Sequence, residues 1–231
     1  MGRLTVIGVD ADDTLWHNER FFRLTQGEFA RLLADYTDED RLMERLVAAE
    51  RRNLGRYGFG VKGFVLSMIE TALEVTGDRV PGPAIARLIA AGHEMLSHPV
   101  ELLPGVGDAL QAVRDRRRLV LVTKGDLLDQ ERKLAQSGLG ELFHGVEVVS
   151  MKDAPTYRAV FARQGDGAGR GLMAGNSLGS DVLPMIAAGG WGVHIPHPMT
   201  PEPDEPPGPD RFRSIATLSD LPPLLDRIDG D

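Results

Sequence analysis

Two hydrophobic periodicities divide this chain. Across residues 17–98 apolar side chains recur at helical spacing: Phe22, Phe29, Leu33 and Tyr36 fall on one face, and Leu42, Leu46 and Ala49 resume the pattern after a cap at Thr37 or Asp38. A glycine-rich break at 55–60 precedes a further helix carrying Phe64, Met68, Ile69 and Leu73, and 81–95 reads as another. Outside this block short apolar runs alternate with helical stretches. Strands are expected at 4–9, 119–122, 146–149, 172–174 and 192–195, with helices over 106–116, 127–139, from 155 and over 182–188. Residues 196–209 are rich in proline and acid and read as an exposed loop, and 215–228 as a last short strand and helix. There is no internal repeat.

Strands alternating with helices imply parallel βαβ units with right-handed crossovers. The first strand belongs with the later ones, so the helical block is inserted between the first and second strands. The expected fold class is therefore α/β: a Rossmann-like, doubly wound parallel sheet core, residues 1–16 and 99–231, with an inserted all-helical cap, residues 17–98. Closing such a cap over strand ends would exclude water from a reactive site.

Composition narrows the function. At 231 residues the chain has room for one core and an inserted module, and no apolar run approaches the roughly 20 residues of a membrane span. Asp10, Asp12 and Asp13 interrupt the N-terminal apolar stretch, so no export signal is expected and the protein is assigned to the cytoplasm, with no membrane partner. The chain has no cysteine, which leaves oxygen or imidazole to hold any metal. A net charge of −8 argues against a nucleic-acid partner. An anionic substrate would have to be attracted by its site.

The candidate chemistry lies at four strand ends. The first apolar run, Leu4 to Val9, gives way to Asp10 and Asp12, two carboxylates two residues apart where an open α/β sheet places its ligands. Alternate strand residues share a face, and the repulsion between such a pair is relieved by a divalent cation or a retained proton. The second end, Val122-Thr123-Lys124-Gly125, offers a hydroxyl to a phosphoryl oxygen and backbone N–H groups at the next helix start. At the third, Lys152 follows its strand and can neutralise carboxylates and a phosphoryl group together. The chain has only four lysines, and two of them, Lys124 and Lys152, stand immediately after expected strands. At the fourth, Gly175-Asn176-Ser177 with Asp181 supplies small residues and oxygen donors suited to a hard cation.

In this order the four elements resemble the haloacid dehalogenase superfamily, phosphatase branch, with a helical cap of the first type. Asp10-Ala11-Asp12-Asp13-Thr14-Leu15 matches the Asp-x-Asp-x-Thr motif, Thr123 the second motif, Lys152 the third, and Gly175-Asn176-Ser177 with Asp181 the fourth. The gap between the second and third motifs has no room for the second cap type. The resemblance implies a phosphoric monoester hydrolase acting on a small phosphorylated metabolite. Asp10 would be the nucleophile and Asp12 the general acid and base, with Thr123 and Lys152 completing the catalytic set; Thr123, Lys124, Gly125 and Lys152 would bind substrate. Mg²⁺ would be held by Asp10, the Asp12 backbone carbonyl, Asn176 and Asp181. Many relatives carry Asp where this chain has Asn176, so weaker metal binding is expected. Asp12 argues against the dehalogenase branch, which lacks this second acid and needs no metal. The rivals are a receiver-like signalling domain, opposed by the insertion and the Asp pair, a non-enzymatic ligand-binding protein, and a phosphomutase. A monomer or homodimer is expected.

Other residues have plainer readings. The six histidines show no metal-ligand pair on one helix face and read as surface or linker residues, except that His17, just after the first motif, could touch substrate. Trp16, Phe21 and Phe22 could line the pocket, but aromatic residues there read more simply as cap core. Glu50-Arg51-Arg52 with Arg56 reads most simply as a solvated helix end, the alternative being an arginine clamp for a substrate anion.

Overall fold

The computed structural model describes residues 3–200, 208 and 210–230. Six parallel strands form one sheet in the order β3-β2-β1-β4-β5-β6. They are β1 (Val6–Val9), β2 (Arg118–Lys124), β3 (Gly145–Val149), β4 (Gly171–Gly175), β5 (Trp191–His194) and β6 (Phe212–Ser214). β1 pairs with both β2 and β4, so the order reverses beside it, and the strand carrying Asp10 lies at the topological switch point.

Alternation along β1 explains why every residue in it is buried. Ile7 and Val9 enter one apolar layer with Leu119, Leu121, Leu172 and Val193, under α5 (Val106–Arg114) and α9 (Leu221–Gly230). Val6 enters the opposite layer with Tyr157, Phe161 and Met185, from α7 (Ala154–Gln164) and α8 (Leu183–Ala187). Gly8 shares that second face, and a Cβ there would stand 2.9 Å from both Phe161 and Met173, so the close approach of α7 requires glycine.

The chain divides into two compact units: residues 1–19, 100–124 and 130–231, and residues 20–99 with 125–129. The second holds α1 (Glu19–Leu32) beyond its first residue, α2 (Glu39–Tyr57), α3 (Val61–Thr76) and α4 (Gly82–Ser97). It has its own core of Phe29, Leu33, Leu42, Leu46, Phe64, Met68 and Leu88. Asp38 caps α2 by accepting from the Arg41 N–H at 2.9 Å. The chain leaves the first unit initially after residue 19 and returns at residue 100, and there the two segments are paired: the His17 N–H donates to the Glu101 carbonyl and the Leu103 N–H to the Leu15 carbonyl. α6 (Leu127–Ser137) starts in the segment 125–129 and continues into the first unit.

Several boundaries differ from the sequence expectation. Helix α2 runs through Gly55, so the break is confined to 58–60, where Gly58 and Gly60 have φ of 69° and 110°. Tyr36 lies beyond the end of α1 and is exposed. The last strand, β6, precedes Ile215 rather than containing it. Much of the expected loop at 196–209, namely 201–207 and 209, lies outside the described residues. No helix among the described residues is long and apolar enough to cross a membrane.

Candidate active site

Asp10 extends the β1 ladder by one bond, its N–H donating to the Ala174 carbonyl at 2.9 Å, and so leaves the sheet with its carboxylate buried. One oxygen accepts from Lys152 Nζ and the other from Thr14 Oγ1 at 3.3 Å. Lys152 also donates to Asp181 Oδ1 at 2.7 Å, so one ammonium bridges two buried carboxylates. Burial, then the charge on Asp181, pushes the Asp10 carboxyl up from 3.8 to about 7 despite the lysine. For Lys152 burial works downward, but Asp10 and Asp181 outweigh it and hold the ammonium above its ordinary range.

Asp181 is placed by a local device. The Gly175-Asn176-Ser177 segment leaves β4 into a single π turn, Leu178–Val182, in which the Ser177 N–H donates to Asp181 Oδ2 at 3.0 Å and the Ser180 N–H donates to Ser177 Oγ at 3.2 Å. A Cβ on Gly175 would lie 2.3 Å from Asp181 Oδ2, which makes glycine a condition of bringing this carboxylate against β4.

Asp12 has different company. Its carboxylate accepts from Trp16 Nε1 at 2.7 Å, Lys133 Nζ at 2.9 Å and Gln130 Nε2 at 2.9 Å. Burial acts to raise its pKa, but Lys133 and the two further donors prevail, and the group is held below the usual carboxylate value. The strand ends at Val9, so the two-residue alternation no longer governs position 12, and the carboxylates of Asp10 and Asp12 take separate donors. Lys133 and Gln130 are absent from the sequence reading, and Trp16, expected in the cap core, is instead buried in the core of the first unit and donates to Asp12. Gln130 and Lys133 sit three residues apart on one helix, and Lys133 is one of only four lysines, the one signal that could have found them.

Thr123 is buried at the end of β2, its hydroxyl 3.5 Å from the Lys124 carbonyl. Lys124 donates to Ser180 Oγ at 2.9 Å, and burial, then Lys152, lowers its pKa. Gly125, with φ of 143°, begins the segment that belongs to the helical unit. Asp10, Thr123, Lys124, Lys152, Asn176 and Asp181 thus gather at the carboxyl edge of β1, β2 and β4 and just beyond β3.

Asn176 closes the arrangement. One end of its amide lies 3.1 Å from Asp10 Oδ2 and 3.2 Å from both Thr14 Oγ1 and the Asp12 carbonyl oxygen, and the other lies 2.7 Å from Thr200 Oγ1. Facing a carboxylate and a carbonyl, the amide turns its nitrogen inward and its oxygen to Thr200. The same convergence fits a hard cation: a carboxylate, a carbonyl and an amide meet at one point, every available donor is oxygen, and Asp10 beside Asp181 carries negative charge that burial makes costly. Thr200 can donate or accept, so it serves the amide in either orientation.

Known proteins resemble this chain in family and in fold. A family model for haloacid dehalogenase-like hydrolases matches residues 4–189. A haloacid dehalogenase-like family hydrolase from Xanthomonas campestris is 41% identical, with 100% of this chain and 97% of that one aligned at a TM-score of 0.88. Two neighbours at 18% identity and a TM-score of 0.64 share the fold over 97% of this chain and 99% of theirs: a magnesium-bound hydrolase of the same superfamily from Bacillus subtilis and a 2-haloacid dehalogenase from Pseudomonas syringae. Comparison with curated proteins returned no match. With the family model spanning β1 to β4 and all four strand ends, the chain belongs to the haloacid dehalogenase-like hydrolases.

Proposed function

We propose that this hydrolase is a Mg²⁺-dependent phosphatase of small phosphorylated metabolites, working through an aspartyl-phosphate on Asp10. The observation that carries this reading is Asp12, a second, half-buried acid with its own lysine, two positions after the nucleophile. Displacement of a carbon-bound halide has no leaving oxygen to protonate, whereas ester cleavage does.

An Asp10 oxygen attacks phosphorus and the ester P–O bond breaks, its oxygen taking a proton from Asp12. Asp12 then removes a proton from the water that attacks the aspartyl-phosphate, releasing phosphate and restoring Asp10. Such acid and base assistance is worth about 10² to 10⁴ in rate. Asp12 must carry a proton for the first step, so its bond from Lys133 has to be exchanged as substrate arrives. Thr123 donates to a phosphoryl oxygen, and Lys152 and Lys124 set positive charge against its equatorial oxygens. Asp10, the Asp12 carbonyl, Asn176 and Asp181 would hold Mg²⁺, which when bound offsets the repulsion between Asp10 and an anionic substrate.

The test is direct. The purified chain is expected to hydrolyse p-nitrophenyl phosphate with Mg²⁺, to stop in EDTA and to recover when Mg²⁺ is restored, and to release no halide from 2-chloropropionate. Undiminished phosphate release in chelator would refute the metal dependence. Halide release without phosphate release would replace the phosphatase reading with that of a dehalogenase.

Asn176→Asp tests the ligand set. It adds one charge where the amide meets Asp10, which strengthens the pull on Mg²⁺ but also increases repulsion in the empty site. The Mg²⁺ concentration for half-maximal activity is expected to fall by up to about tenfold, with an unchanged or lower saturating rate. Identical half-saturation in both proteins would place Asn176 outside the coordination sphere.

A further inference from the structure

The proposed reaction leaves unused a second group of donors, assembled from both ends of the first unit. Asp13, His17 and His197 each direct one ligand atom into a common space, and the three atoms lie within 4.8 Å of one another. Asp13 is buried and both imidazoles are half-buried. His197 Nε2 stands 3.7 Å from Asp13 Oδ1, beyond hydrogen-bonding distance, and the His17 and His197 rings approach edge-on with 6.3 Å between centroids. Reading the histidines as surface or linker residues overlooked this convergence, because 180 positions separate His17 from His197.

The carboxylate is held in place independently. Its Oδ1 accepts from the Asn18 N–H and its Oδ2 from the Glu19 N–H, both at 2.9 Å, which aims it while leaving lone pairs on both oxygens. Two imidazoles and one carboxylate suit a borderline transition ion, whereas magnesium prefers oxygen alone. Zinc bonds of about 2.0–2.2 Å in a tetrahedron set ligand atoms about 3.4 Å apart. The widest pair therefore has to close by at most about 1.4 Å, within reach of rotating half-buried rings, and the Asp13–His197 pair by a few tenths of an ångström.

We propose that Asp13, His17 and His197 form a second cation site for zinc or a similar transition ion, separate from the oxygen-donor site at Asp10. Three protein ligands leave a fourth position for water or an exogenous ligand. An ion there ties the segment after β1 to the 197–200 turn, where the Thr200 N–H donates to the His197 carbonyl at 3.0 Å and the Thr200 side chain meets the Asn176 amide. Loading this site thereby reaches the residue that completes the other one.

The experiment is calorimetric titration of Zn²⁺ into the full-length chain under saturating Mg²⁺, repeated with His17→Gln and His197→Gln, each checked for an unchanged circular dichroism spectrum. The wild type is expected to take up one equivalent, each variant to bind at least about tenfold more weakly, and zinc to raise the thermal midpoint of the wild type more than that of either variant. No uptake beside Mg²⁺, or undiminished affinity in either variant, would overturn the three-ligand assignment. Asp10→Asn is expected to retain the zinc equivalent, so the outcome stands apart from the phosphatase reading.

Discussion

Asp10→Asn is expected to abolish turnover, by at least about 10⁴-fold, the scale of losing a nucleophile from residues that act as a unit. The amide nearly matches the carboxylate in shape but cannot serve as the phosphoryl acceptor. Stability should move the other way in metal-free protein. Asp10 titrates near 3.8 when unfolded and is raised to about 7 when folded, by burial and then by Asp181, so the native state holds its proton more tightly. Its contribution is complete below the unfolded value, declines as pH rises above about 4 and is lost once pH passes about 7. Asparagine carries no such dependence. Thermal midpoints of both proteins in EDTA from pH 5 to 8 should therefore show the variant gaining on the wild type as pH rises. Turnover near the wild-type rate would exclude Asp10 as nucleophile, and parallel pH curves would exclude the burial of its charge as a cost to folding.

The four strand ends were legible because each is a local signal: a buried apolar run stops, and a polar group follows within a few residues. The sheet followed from the same runs, and the helical block from its 3.6-residue period. Features set by tertiary contact were not legible. Lys133 and Gln130 reach Asp12 from a helix more than a hundred residues away, and nothing adjacent to Asp12 announces them. His17 follows β1 and His197 follows β5, strands that pair with β4 on either side, so they meet through the strand order rather than through spacing. The last strand was expected a few residues too late because β6, an edge strand of two half-buried residues and one exposed one, has no apolar run. Gly55 misled for the opposite reason: helix packing overrode its low propensity, and only the positive-φ glycines that follow it end the helix.

The consequence for Lys152 is the more demanding test, since this side chain serves the fold and the reaction at once. It is buried and bridges Asp10 and Asp181, and those partners hold its charge in place. Lys152→Met keeps the length and apolar stem but leaves two buried carboxylates without their shared cation. Removing one member of a buried ionic group typically costs about 3–5 kcal/mol, and the loss should be larger at pH 8 than at pH 5, because Asp10, released from lysine, takes up a proton more readily at the lower pH. Mg²⁺ should restore part of the stability by supplying positive charge to the same carboxylates, but not the rate, since the transferring phosphoryl group still lacks the ammonium; a fall of at least about 10²-fold is expected. Lys152→Arg separates the two roles: it keeps the charge, but its planar fork does not reproduce a compact point charge between two carboxylates, so stability should recover more than activity. Urea unfolding with and without Mg²⁺, beside initial rates on p-nitrophenyl phosphate, measures both. A loss under about 1 kcal/mol in EDTA for Lys152→Met would mean the bridge does not hold the metal-free site together, and an unchanged rate would remove Lys152 from phosphoryl binding.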